Sequence, residues 1–131
     1  MEKLIIVIEK SSDHYSAYSE NCDGIYGGGD SVEDVKKNAL EGLRLYKETT
    51  NKIPELLQGE YEIVYKYDIP SFLQYYSKVL SLAGLERLTG VNQGQLSHYI
   101  NGYRKPSKKT AERIETALHN FGKELSQVEF V

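Results

Sequence analysis

Residues Gly90 to Ser107 read GVNQGQLSHYINGYRKPS, and no other stretch of the chain limits its fold so tightly. The apolar pattern changes phase at Gly90, restarts behind Asn92, and ends in a basic segment around Arg104 and Lys105. Glycine stops a helix by taking the left-handed conformation, and asparagine starts one by capping free backbone N–H groups. Val91, between them, plugs the turn. The reading is two short helices joined by the three-residue turn Gly90-Val91-Asn92, the second followed by positive charge. A chain needs this arrangement to lay a helix in the DNA major groove.

The flanking residues extend the pattern to four helices. Pro70 suits the first turn of helix one, with Phe72, Tyr75 or Tyr76, Val79 and Leu80 as its apolar face. Ser81 caps helix two, with Leu82, Leu85 and Leu88 inward. Leu96, Tyr99 and Ile100 hold helix three against the others. Gly102 closes it, and Ser107 caps helix four, in which Ala111, Ile114, Ala117, Leu118 and Phe121 point inward. A plain helical bundle would account for the apolar faces but not for the capped turn and basic loop together.

Charge divides the chain in the same way. Residues 1–67 carry 8 Lys+Arg against 13 Asp+Glu, a net of −5, and residues 68–131 carry 8 against 6, a net of +2. Between Arg87 and Arg113 lie 6 basic residues and one acid, Glu112. Positive charge is concentrated where DNA would lie, while the acidic half would repel phosphate. Two units are expected: residues 1–67, and residues 70–124 with an apolar tail at 125–131. Asp68 to Ser71 is the expected joint. Leu125, Val128, Phe130 and Val131 remain after helix four and are expected to pair with another protomer.

The acidic half reads as a βββαβ unit, so the whole is an α+β chain. Leu4 to Ile8 is a buried strand, and Tyr15 to Ser19 its hairpin partner. Ile25-Tyr26 is a third strand, halted by Gly27-Gly28-Gly29. Asp30 and Ser31 begin a helix in capping-box fashion, with Val32, Val35, Ala39, Leu43 and Tyr46 on one face, running to about Thr50. Tyr61 to Tyr67 alternates as the fourth strand.

Catalytic and ligand motifs find little support. Gly27-Gly28-Gly29 before a helix suggests a phosphate cradle, but no lysine follows and Asp30 opposes an anion. Asp13, Glu20 and Asp23 suggest a nuclease metal site, yet each lies in or beside a turn, where such residues are common. His14 and His119 read as solvated, and His98 has no second ligand at helical spacing. Cys22, the single cysteine, makes an intrachain disulfide impossible and has no partner for thiol catalysis. No enzymatic activity, metal or cofactor is expected. The Leu4–Ile8 run is too short to span a membrane or serve as a signal core, so a cytoplasmic location is expected. An acidic unit in a chain with 11 tyrosines and no tryptophan suits docking to a basic protein.

The order strand, hairpin, strand, and then CDGIYGGGDSVEDVKKNALEGLRLY (Cys22 to Tyr46) resembles the HicB-type antitoxins. The resemblance covers most of Met1 to Tyr67 in layout. It implies a degenerate ribonuclease H-like domain without catalysis, binding a small, basic, RNA-cleaving toxin of the HicA type. The implied role is a toxin–antitoxin role, with repression of the chain's own operon through the second domain. Under that reading Tyr18, Glu20, Asp23 and Tyr26 are the expected toxin contacts. Ser19 to Asp23 lacks the proline often found after the second strand in that family.

Gly90 to Pro106 in turn resembles the Cro/C1-type repressors. Carried over position by position, Gln93, Gln95, Ser97 and His98 would face base edges, glutamine being suited to bidentate contact with adenine. Asn101, Tyr103, Arg104, Lys105 and Lys108 would hold phosphates and set register. Glu86 stands where alanine is usual, and Gly94 removes a side chain where a base reader is often placed. The expected partners are double-stranded operator DNA, the toxin, and a second copy in a homodimer or higher oligomer. Two rivals remain: a stand-alone repressor with an acidic sensor or dimerisation domain, and an active ribonuclease H-like enzyme using Asp13, Glu20 and Asp23.

Overall fold

The computed structural model describes all residues, 1–131, and the chain divides into two compact units, Met1–Tyr75 and Tyr76–Val131. The first unit contains β1 (Glu2–Lys10), β2 (Tyr15–Ser19), β3 (Tyr26–Gly29), α1 (Val32–Thr49), the single turn α2 (Glu55–Gln58), β4 (Tyr61–Tyr67) and α3 (Ile69–Tyr76). The second contains α4 (Leu82–Thr89), α5 (Gln93–Ile100) and α6 (Lys108–Ser126).

The four strands form one sheet in the order β3-β2-β1-β4. β1 pairs antiparallel with β2 and parallel with β4, in a register that sets Ile5 beside Val64 and Val7 beside both Tyr18 and Lys66. Strand periodicity then sorts the side chains. Leu4, Ile6, Ile8, Tyr15 and Ala17 are buried on one face, where α1 brings Val32, Val35, Ala39 and Leu43 against them. Full burial of each such aliphatic side chain contributes about 1.5–3 kcal/mol, so this cluster dominates the unit. Ser31 caps α1 by accepting from the Asp34 N–H at 3.1 Å.

The glycine run behaves differently from expectation. Gly27, Gly28 and Gly29 lie within β3 and do not halt it. A Cβ at Gly27 would stand 2.7 Å from the Ala39 backbone nitrogen, and one at Gly29 would stand 2.9 Å from the Asp34 Cβ. These two glycines let the helix approach the strand closely. Their role is in packing, and Asn38 donates from α1 to the Gly28 carbonyl at 2.6 Å.

The helix expected to open the second unit belongs to the first. Asp68 ties the start of α3 to the end of β1, accepting from Ser71 N–H at 2.9 Å and from Lys10 N–H at 2.8 Å. Gln74 accepts from the first N–H of α1, at Val32, at 3.0 Å. The Tyr75 ring stacks on Tyr67 at 6.3 Å, and the Lys36 ammonium lies 3.9 Å from the Tyr75 ring and 4.3 Å from that of Tyr65. Cation–π contacts of this kind contribute about 0.5–2 kcal/mol. Asp68 to Ser71 is therefore a fixed corner, and the unit boundary falls after Tyr75. Val79, expected on an apolar helix face, lies beyond the end of α3 and is 79% exposed. The second unit thus has three helices where four were expected. α6 continues through Ser126, so Leu125 lies in its last turn rather than in a tail.

Candidate nucleic-acid interface

α4, its turn and α5 are built from caps. Ser81 accepts from Gly84 N–H at 3.0 Å and starts α4. Gly90 ends it with φ 75°, its N–H donating to the Glu86 carbonyl at 2.7 Å. Two facts require glycine there: the positive φ, and the Arg113 guanidinium, which occupies the space a Cβ would take. Val91 is buried at the turn, its N–H donating to the Thr89 hydroxyl at 3.1 Å, and that hydroxyl donates to Leu85 O at 2.7 Å. Asn92 then caps α5, accepting from Gln95 N–H at 2.8 Å.

A second cap reaches α5 from the neighbouring helix. Glu86 on α4 accepts from the Gln93 N–H at 3.0 Å. The first turn of α5 is thus held by Asn92 locally and by a carboxylate from α4, whose charge favours a helix N-terminus. In the sequence Glu86 stood out only as a departure from the repressor pattern. Its position seven residues before Gln93 carries no local signal for a contact between two helices.

Leu96 and Tyr99 are buried on one side of α5, as are Leu85 on α4 and Ile114 on α6. At 3.6 residues per turn, the side opposite Leu96 and Tyr99 is centred on Gly94, His98 and Asn101. Of the expected base readers, Gln93 and His98 are exposed, while Gln95 and Ser97 are half-buried on the flanks. Gly94 leaves the centre of this surface without a side chain. Asn101 ends the helix, and its amide reaches the Ser97 hydroxyl at 3.5 Å.

The loop after α5 is anchored to it. Tyr103 N–H donates to the His98 carbonyl at 2.9 Å, and the Tyr103 and His98 rings meet edge to face at 6.0 Å. Gly102 permits this return with φ 76°. Tyr103, Arg104, Lys105 and Lys108 are all exposed around it, and Ser107 caps α6 by accepting from Thr110 N–H at 3.1 Å. All the expected phosphate-holding residues thus lie on α5's C-terminal end, the loop and the first turn of α6.

This geometry is that of a helix-turn-helix. Residues 78–119 match the helix-turn-helix family model of the Cro/C1 type. The match lies within the second unit and marks it as a sequence-specific DNA-binding regulator module. No curated protein and no solved structure matches the chain. No helix is long and apolar enough to cross a membrane.

In the first unit, the sheet face away from α1 gathers three of the four residues expected at a protein partner. Tyr18 and Tyr26 are cross-strand neighbours, and Glu20 follows β2 on the same side. Asp23 sits apart, in the turn before Ile25. Tyr18 donates to Glu9 at 3.0 Å, which pushes its hydroxyl pKa above the ordinary value. Glu20 binds the Lys66 ammonium through both oxygens at 3.0 Å. Tyr26 is 68% exposed. The carboxylates considered for a metal do not converge: Asp13 pairs with His14 at 2.7 Å, Glu20 with Lys66, and no group of three or more His, Cys, Asp or Glu is assembled. Cys22 is buried, which pushes its thiol pKa up, away from a reactive thiolate.

Proposed function

We propose that this protein is a two-part repressor and antitoxin. The second unit reads operator DNA, and the first binds a small basic toxin of the HicA type, so that the chain silences both the protein and the gene of its target. The DNA half rests on one observation: a doubly capped α5 presenting Gln93, Gln95, Ser97 and His98, with an anchored basic loop beside it. Base contacts come from those four residues, and Asn101, Tyr103, Arg104, Lys105 and Lys108 hold phosphates.

The toxin half rests on the open sheet face and the charge of its unit. Tyr18 and Tyr26 provide adjacent aromatic surface, Glu20 and Asp23 provide acid, and residues 1–67 carry a net −5. Aromatic anchors on a unit of net negative charge suit a cationic protein surface, with the charge governing encounter rate more than final affinity. The resemblance of Cys22 to Tyr46 to HicB-type antitoxins supports the same partner. Operator reading calls for at least a homodimer, to which exposed Leu125, Val128 and Phe130 contribute.

The test is a tagged pull-down from the native cell with mass spectrometry of the captured proteins. A stoichiometric basic partner of small size, which arrests growth when expressed alone, is the expected result. Recovery of the protein on its own promoter with no such partner would overturn the antitoxin half and leave a stand-alone repressor.

A further inference from the structure

β4 is an edge strand of seven residues, Tyr61-Glu62-Ile63-Val64-Tyr65-Lys66-Tyr67, with no proline in it. Edge strands of this length are normally blunted, because their free backbone groups template pairing with another chain. The opposite edge is managed: β3 has four residues, three of them glycine, and Asn38 reaches its Gly28 carbonyl. β4 carries charge instead, and the charge has a symmetry. Glu62 and Lys66 lie two residues to either side of Val64, and all three share the face away from α1.

We infer that β4 pairs antiparallel with β4 of a second copy about a two-fold axis at Val64. In that register Glu62 of each chain stands opposite Lys66 of the other. Ile63 stands opposite Tyr65 on the helix-covered face, and Val64 meets its own copy on the axis. A two-fold contact must be self-complementary, and this strand is: two opposite-charge pairs flank an apolar centre. Directly opposed side chains have Cβ atoms about 4.5–5.5 Å apart, within reach of an ion pair. Shifting the register by one residue removes the charge pairing and sets the core face of one copy beside the outer face of the other, so a one-residue slip is disfavoured. Lys66 already binds Glu20 within its own chain, and the second copy sets Glu62 on its other side, so one ammonium bridges two carboxylates. The sheet becomes continuous across the two copies, with eight strands from two sets of four.

This interface is separate from the apolar residues after α6 and independent of DNA reading. Its test is the mass of the full chain by light scattering over a concentration series. E62K and K66E alone should each halve the assembly mass, because each sets like charges face to face. An equimolar mixture of the two variants should restore it. In the mixed pair the introduced lysine faces the introduced glutamate, and the native Glu62 of one chain faces the native Lys66 of the other. Unchanged mass in the single variants, or a mixture that stays dissociated, would overturn the inference. Should a charge reversal unfold the chain, V64C under mild oxidant provides the second readout. The axis brings the two Cα atoms to about 4.5–5.5 Å, within disulfide range, so a covalent dimer is expected, and its absence overturns the register.

Discussion

Replacing Glu86 with alanine tests how α5 is held. The Glu86 carboxylate accepts the Gln93 N–H at 3.0 Å, one of the donors at the helix start that has no partner within α5. Losing a side-chain cap costs about 1 kcal/mol, and losing a negative charge at the helix N-terminus costs about 0.3–1 kcal/mol more. Alanine is the better helix former by a few tenths of a kcal/mol. Glu86 is only half-buried, so water recovers part of the lost bond. The net is about 1 kcal/mol, concentrated in the first turn of α5. Amide exchange of residues 91–101 should therefore quicken roughly fivefold, from the relation of 1.4 kcal/mol to a factor of ten. Exchange in β1 and β2 should not change. Removing an acid beside α5, the helix proposed to face DNA, should also raise affinity for non-specific DNA while lowering discrimination between sequences. Glu86→Gln keeps an acceptor and loses the charge, so it should retain at least half of the protection. Exchange in α5 unaffected by Glu86→Ala, or Glu86→Gln as damaging as Glu86→Ala, would refute the capping argument.

Three further outcomes follow from the same geometry. Arg104→Ala should weaken binding to every DNA sequence and lower the salt slope by about one unit, whereas Gln93→Ala should relax preference at one base pair; equal losses on all sequences for both would reverse the assignment of roles. Gly27→Ala should destabilise the first unit by about 1–3 kcal/mol through overpacking against α1, while Gly28→Ala, whose nearest neighbour is 3.8 Å away, should be tolerated; urea unfolding of each variant separates the two. Ser71→Ala should be neutral or stabilising by about 1 kcal/mol, because the Ser71 hydroxyl is buried without a hydrogen-bond partner, and a thermal melt showing clear destabilisation would contradict this.

What the sequence disclosed was local in character. Ser31, Ser81, Asn92 and Ser107 all cap the helices expected of them, because a cap depends on residues only three positions apart. The continuous apolar run Leu4 to Ile8 marked β1 as a buried strand for a similar reason, while the face it turns to α1 shows only in the structure. Long-range contacts were not legible. Phe72 and Tyr75 form the same apolar stripe whether they pack on helices or on a sheet edge, so α3 was assigned to the wrong unit. Its true partners are Tyr67 on the preceding strand, and Lys36 and the Val32 N–H, which lie far away in sequence. Gly27 and Gly29 read as a stop because glycine lacks strand propensity. Their use is visible only once α1 is seen lying against them. On α5 the local cap at Asn92 was legible, but the role of Glu86 as its second cap was not.

The most direct test of the account is a fluorescence anisotropy titration of the full chain against the DNA upstream of its own gene, with a scrambled duplex alongside, at fixed salt. The account expects at least roughly a thousandfold preference for a two-fold symmetric site, in line with sequence-reading proteins. It expects a Gln93→Ala, His98→Ala double variant to lose most of that preference while still binding both duplexes through its basic loop. Equal affinity of the native chain for the two duplexes would contradict it, leaving α5 and its loop as a helical unit that reads no sequence.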